Sequence, residues 1–201
     1  MQQSLLDHLH LPKRVMRLSS AVTSRYRTDL DSHADTCAFG TQAYMVQDSG
    51  DHVNVDGFVS TIGTVKKVPI CTMAVAYDCP YSFNTYILFF PQSLYIKGMT
   101  TNLLSPFQLR AFGITVNDVP LQHLEPEERS AVQHSIQVGD LHIPLELNGI
   151  MSGFTTRKPT SREVNDSSGA NGIHVWMTLE ASWDPHSTHP GDIESTLRDS
   201  L

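Results

Sequence analysis

The sequence predicts an all-β fold carrying one short helix, and three observations support that reading. Runs rich in Val, Ile, Tyr and Phe recur along the chain, divided by short polar stretches such as DSGD, IGT and DCPYS. Eleven prolines and twelve glycines are spread over the 201 residues instead of gathering in one tract, which suits short strands and frequent turns. One segment, SPFQLRAFG at 105–113, carries a full start-and-stop helix signature. Ser105 is the N-cap, Pro106 the first helical residue, and Gly113 falls just past the end.

Taken in order, residues 1–28 read as a leader, with Leu5, Leu6 and Leu9 making one amphipathic turn before Pro12. YRTDLDSHADTCAF at 26–39 reads as a strand entering and leaving a tight polar loop. AYMVQ (43–47), HVNVDGFV (52–59), VPICTMAVAY (68–77) and TYILFF (85–90) follow as strands, and then the helix of about two turns. Beyond Pro120 the composition shifts. LEPEERSAV fits a loop or a brief helix, and HSIQVGDLHIPLELNGI reads as a hairpin folded at Gly139-Asp140, with a further turn at Asn148-Gly149. Thr160 and Glu163 stand at capping-box spacing, where a helix begins. NDSSGANG (165–172) reads as a flexible linker, IHVWMTLEASW as a last strand, and the tail from Asp184 as disordered. The organisation expected is a leader (1–28), a main β domain (29–119), a β-rich hairpin extension (120–165), and a linker, strand and tail (166–201).

Charge narrows the function classes. The net charge is −7, yet residues 1–28 hold five cations against Asp7 alone, a net +4, which leaves −11 for the rest. An acidic body repels a phosphate backbone, so nucleic acid is not the expected partner of the folded part. Cys37, Cys71 and Cys79 have neither CxxC spacing nor an even count, and read as reduced, buried thiols. Asp7, His8 and His10 break the N-terminal leucines, so no secretory pattern forms, and no apolar run approaches about 20 residues. A cytoplasmic, non-secreted chain is expected.

The chemistry concentrates in Leu30-Asp31-Ser32-His33-Ala34-Asp35-Thr36. An aspartic protease needs two carboxylates in contact holding one proton, because like charges that close cannot both ionise. Each carboxylate sits on a loop with an apolar strand leading in, a small residue leading out and a hydroxyl beside it. Asp31, Ser32 and Ala34 meet that pattern. Asp48-Ser49-Gly50 has polar flanks and reads as a surface turn; Asp166-Ser167 lies in the linker, and Asp199-Ser200 ends the chain. With one qualifying Asp, a dyad has to come from two copies related by a two-fold axis. The rival chemistry is a metal site: on a strand, Asp31, His33 and Asp35 share one face and offer an O/N/O set. Further ligands are not identifiable, and no metal or organic cofactor is expected.

LDSHADT resembles the LD[ST]GAD signature of retropepsins, and SLYIKGMTTNLLSPFQLRAFGITV is similar to the LYVPG…NLLSVSQL…G…V stretch of copia-type retrotransposon proteases. VNVDGFVSTIGTV resembles their G-x-G-T-V flap, and the three blocks fall in order over 29–119. IPLELNGIMSGFTTRKPT and SWDP look like the continuation of such Gag-Pol polyproteins in elements with the DSHADT variant. The resemblance implies a retropepsin-like half-barrel, a homodimer and a peptide or polyprotein substrate, met in the cytoplasm or within virus-like particles. It implies Asp31 as the catalytic residue, Ser32 as the loop-locking hydroxyl, and His33, Ala34, Asp35, Ile62 and Gly63 as substrate-binding positions, with Asn102, Leu103 and Leu104 leading into the buttressing helix. Two departures stand out. His33 replaces the usual Gly, and Thr100-Thr101 stand where an Arg normally braces the residue matched by Asp35. They leave an alternative: an inactive retroelement remnant acting as a dimeric binding module.

Overall fold

The computed structural model describes residues 24–57, 63–130 and 132–185. The leader up to residue 23, the segment 58–62 and the tail from 186 lie outside the described residues.

Twelve strands and two short helices follow one another: β1 (Arg25–Leu30), β2 (Ala38–Phe39), β3 (Tyr44–Asp56), β4 (Thr64–Asp78), β5 (Thr85–Tyr95), β6 (Asn102–Leu104), α1 (Pro106–Ala111), β7 (Thr115–Asn117), β8 (Ser135–Val138), β9 (Leu141–Pro144), β10 (Glu146–Asn148), β11 (Met151–Arg157), α2 (Ser161–Asn165) and β12 (Ile173–Trp176). The chain is mostly β, as its composition implies. The large sheet runs β10-β11-β1-β6-β2-β5-β4-β3, with β12 also paired to β5, while β7-β8-β9 form a small antiparallel sheet. Arg157 pairs with Ala76, so β11 touches β4 as well as β1.

The helix signals operate as expected. The Ser105 hydroxyl accepts from the Gln108 N–H and Pro106 opens α1. At the far end Gly113 takes φ +81°, and the amides of Gly113 and Ile114 donate to the carbonyls of Arg110 and Leu109. This left-handed ending satisfies the last carbonyls, and glycine adopts it without a Cβ clash. The box at Thr160 and Glu163 caps α2 in both directions. Gly139-Asp140 turns β8 into β9, with Val138 opposite Leu141.

Two local expectations change. DSGD does not divide two strands; it is a bulge inside β3, where pairing shifts between Asp48 and His52. The Ser49 hydroxyl donates to the Ile70 carbonyl on β4, and Gly50 supplies a φ of +85°, so the strand bends and resumes. The 165–172 stretch is a loop built on Asp166, whose carboxylate accepts from the amides of Ser168 and Asn171 and from both their side chains. Those bonds hold Asp166 at about 2, below the usual carboxylate range.

The hairpin extension shares the core of the main β domain. Phe39, Phe90, Leu104 and Leu109 belong to one buried cluster with Ile136, Ile143, Phe154 and Met177, and β11 pairs with β1 from Arg25↔Arg157 to Asp29↔Gly153. Three buried side chains tie the strands of this region together. Asn102 on β6 donates to the Thr28 hydroxyl on β1 at 3.1 Å, and Thr28 lies 2.8 Å from the Thr156 hydroxyl on β11. Close by, a Cβ on Gly153 would come within 2.5 Å of the Thr28 carbonyl oxygen and collide with the Asp29 carboxylate.

At the far end of β11, Arg157 is buried and donates to both Asp78 and Glu163. Burial would raise both acids, but hydrogen bonds from Arg157, and from Thr85 or Thr160, outweigh it and leave each below its ordinary value. Carboxylates lowered by folding contribute stability above their unfolded pKa values and lose it as pH falls through the folded ones. Stability should therefore drop on acidification through and below the usual carboxylate range, with that part of the slope missing from Arg157→Met. At pH 7 urea titration of this variant should show a loss of roughly 2–4 kcal/mol, discounted because Asp78 is partly solvated. Gly153→Ala should lose about 1–3 kcal/mol by overpacking, while Gly98→Ala, where a Cβ meets nothing within 4 Å, should stay within about 0.5 kcal/mol of the wild type.

Candidate catalytic loop

Alternation along β1 delivers the loop. Thr28 and Leu30 point into the core, while Arg27, Asp29 and Asp31 share the other, partly open face. β1 runs parallel to β6 with Leu30 opposite Leu104, and the Asp31 amide continues that ladder by donating to the Leu104 carbonyl at 2.9 Å. The chain then turns, with the Ala34 amide donating to the Asp31 carbonyl at 3.2 Å. It returns as β2, antiparallel to β6 with Ala38 opposite Leu103. β6 thus lies between the strands that enter and leave the loop.

Within the loop, the His33 amide donates to Asp31 Oδ1 at 2.9 Å, which sets that carboxylate's orientation. His33 Nδ1 lies 3.9 Å from the same oxygen and 3.5 Å from the Ser32 hydroxyl. The Asp31 side chain is 31% exposed and that of His33 79%; Ser32 and Asp35 are exposed and Ala34 is half-buried. The exit is anchored from α1. The Cys37 amide donates to Gln108 Oε1 at 2.8 Å, and the Ser105 amide to Cys37 Sγ at 3.3 Å. Beside the entrance Arg27 pairs with Asp29. It also donates to the carbonyls of Glu146 (2.8 Å) and Met151 (2.9 Å), holding the β10–β11 hairpin against β1.

Asp31, Ser32, His33, Ala34 and Asp35 therefore share one surface loop. Gly63 does not belong to it. That residue closes the β3–β4 hairpin with φ +79°, its carbonyl accepting from the Gly57 amide at 3.4 Å. Ile62 lies outside the described residues. The alternation of Asp31, His33 and Asp35 does not put them on one strand face, because residues 31–36 are a turn and bends. Among the described residues no group of three His, Cys, Asp or Glu side chains is placed to hold a metal ion.

Three features escaped the sequence reading. Trp183 is not part of a strand; it donates to the Thr36 hydroxyl at 3.1 Å. Gln108, an unremarkable helix residue by sequence, is fully buried and orders the loop exit. A third is a cavity of about 580 Å³ lined by Arg25, Tyr77, Cys79, Tyr81, Glu146 and Phe154 among others. It lies at the start of β1, whereas Asp31 follows its end. No helix among the described residues is long and apolar enough to cross a membrane.

The three thiols are free and buried, but their chemistry differs. Burial pushes Cys37 up to about 12 and, with the nearby Asp48 charge, Cys71 to about 11. At Cys79 burial is outweighed by hydrogen bonds from Ser82, Tyr81 and Tyr77, which leave it below its ordinary value. An alkylating reagent at neutral pH should modify Cys79 first and Cys37 only on unfolding, as peptide mass spectrometry would read. Equal rates at the two would contradict this environment.

Compared with protein-family models, curated proteins and solved structures, the chain matches none.

Proposed function

We propose that the chain is a retropepsin-like aspartic endopeptidase of retroelement origin, active as a homodimer in which Asp31 and its two-fold mate act on water. The observation that carries this reading is the loop itself. Asp31 directly follows a strand whose Thr28 and Leu30 are buried, its amide bonded to Leu104 and its carboxylate oriented by the His33 amide, with 31% of its side chain exposed. In this reading the large sheet is a retropepsin-like half-barrel, and the β3–β4 hairpin is the flap over an extended peptide.

Two such carboxylates in contact hold one proton between them. The ionised one takes a proton from water as its oxygen attacks the peptide carbonyl, and the protonated one donates to the developing oxyanion. Collapse of the tetrahedral intermediate breaks the C–N bond, and the departing nitrogen takes the proton the first carboxylate had gained. Ser32 would grip the partner loop, His33, Ala34 and Asp35 would border the peptide, and Ile62 and Gly63 would belong to the flap. No cofactor enters the scheme.

The rival reading, an inactive dimeric binding module, draws on His33. Its imidazole stands on the loop beside Asp31, in the space a glycine would leave to substrate. Incubation with a Gag-like peptide over pH 4–8 separates the two. A protease should give pepstatin-sensitive cleavage, fastest on the acidic side of neutral, abolished by Asp31→Asn and retained by Asp140→Asn in the exposed β8–β9 turn. A dimer that cleaves nothing at any pH would leave the binding module, and cleavage blocked by a chelator instead of pepstatin would point to metal chemistry.

A further inference from the structure

After β12 the chain does not leave the molecule at once. The Met177 amide donates to the Phe89 carbonyl at 2.8 Å, and the buried Thr178 hydroxyl donates to the Pro91 carbonyl at 2.7 Å. Gln92 then holds the strap with its side-chain amide, which donates to the Glu180 carbonyl at 3.4 Å. The strap ends on Trp183. Its ring lies against Phe107 and Phe112 of the α1 region, with centroids 5.9 and 5.6 Å away, and its indole N–H donates to Thr36 Oγ1 at 3.1 Å. Thr36 is buried and directly follows Asp35, where the loop leaves the surface.

The contact joins a system that grips the loop exit. Gln108 accepts from the Cys37 amide and donates to the Gln92 carbonyl at 3.0 Å, and Gln92 is the residue that holds the strap. The exit of the loop is therefore fixed from two sides, by the α1 glutamine at residue 37 and by the strap tryptophan at residue 36. An indole N–H is a donor only, and the neighbouring Phe107 and Phe112 offer no donor to replace it. With the indole N–H removed, the Thr36 hydroxyl would lose that hydrogen bond.

We infer that Trp183 is a positioning residue, and that the strap from 177 to 183 sets the Asp31 loop by holding its exit at Thr36. The role rests on the reading of that loop as catalytic, but the positioning can be measured whether or not the chain cleaves peptides. Sequence places Trp183 some 150 positions from Asp31, so the dependence would couple the C-terminal part of the chain to the competence of the loop. Losing the strap would loosen the exit and let Asp31 stray from the geometry a shared proton demands.

The test uses Trp183→Phe, which keeps an aromatic ring between Phe107 and Phe112 and removes the N–H. Thr36→Val and Thr36→Ser address the other partner. Amide exchange is read at His33 and Ala34, whose N–H groups bond Asp31 within the loop. Trp183→Phe and Thr36→Val should each speed exchange there by about fivefold to tenfold, the size of one lost hydrogen bond. Thr36→Ser, which keeps the acceptor, should exchange like the wild type, and Val75 in the core should exchange alike in all four proteins. In the cleavage assay the first two variants should lower kcat by a similar factor with KM unchanged. Unaltered His33 and Ala34 exchange in Trp183→Phe would overturn the positioning role. A wild type that cleaves nothing, with loop exchange still responding to Trp183, would refute the protease reading and leave the strap's control of the loop standing.

Discussion

The buried row of Asn102, Thr28 and Thr156 is the constraint on which the rest of the region depends. A polar side chain sealed in a core needs its partner, and each of these three reaches across a strand boundary to find it. Their bonds fix β1 between β6 and β11 in one register. A one-residue slip would turn Thr28 outward and swing Asp31 into the core. The placement of the carboxylate thus follows from hydroxyl and amide groups buried away from the loop's surface.

Around that row the molecule divides its polar interactions by place. At the start of β1 and the end of β11, Arg157 gathers Asp78 and Glu163 and fastens α2 to the sheet. At the other end Arg27 holds the β10–β11 hairpin beside the loop, with Gly153 leaving room for the Arg27–Asp29 pair. Apart from the Asn102, Thr28 and Thr156 row and the Gln108 contacts, the side chains between them are apolar, among them Phe90, Leu104 and Phe154. The hairpin extension contributes to both polar clusters and to the interior, so it is a wall of the same structure that carries the loop.

Much of this was legible in the residues. Ser105, Pro106 and Gly113 announced α1, Thr160 and Glu163 announced α2, and Gly139-Asp140 marked its hairpin, because each acts through bonds within a few positions. The Asp31 turn was legible for the same reason. DSGD was misread as a strand break because a bulge and a turn use the same residues, and only the pairing of Ser49 with Ile70 tells them apart. The links between Thr28 and Thr156, Gln108 and Cys37, and Trp183 and Thr36 join residues 71 to 147 positions apart. Nothing in local periodicity encodes such pairs; they become visible only when the sheet order is known.

The same long separations govern how the molecule can be assembled. The strand that leads into Asp31 is made before either of its partners, one neighbour lying 74 residues downstream and the other 128. Contacts of that span are slow to form, and during synthesis one hydrogen-bonding edge of β1 stays open until β6 has been made and the other until β11 has been made. An open edge is a template for any strand that arrives first, so the birth of this fold on the ribosome is its most vulnerable moment.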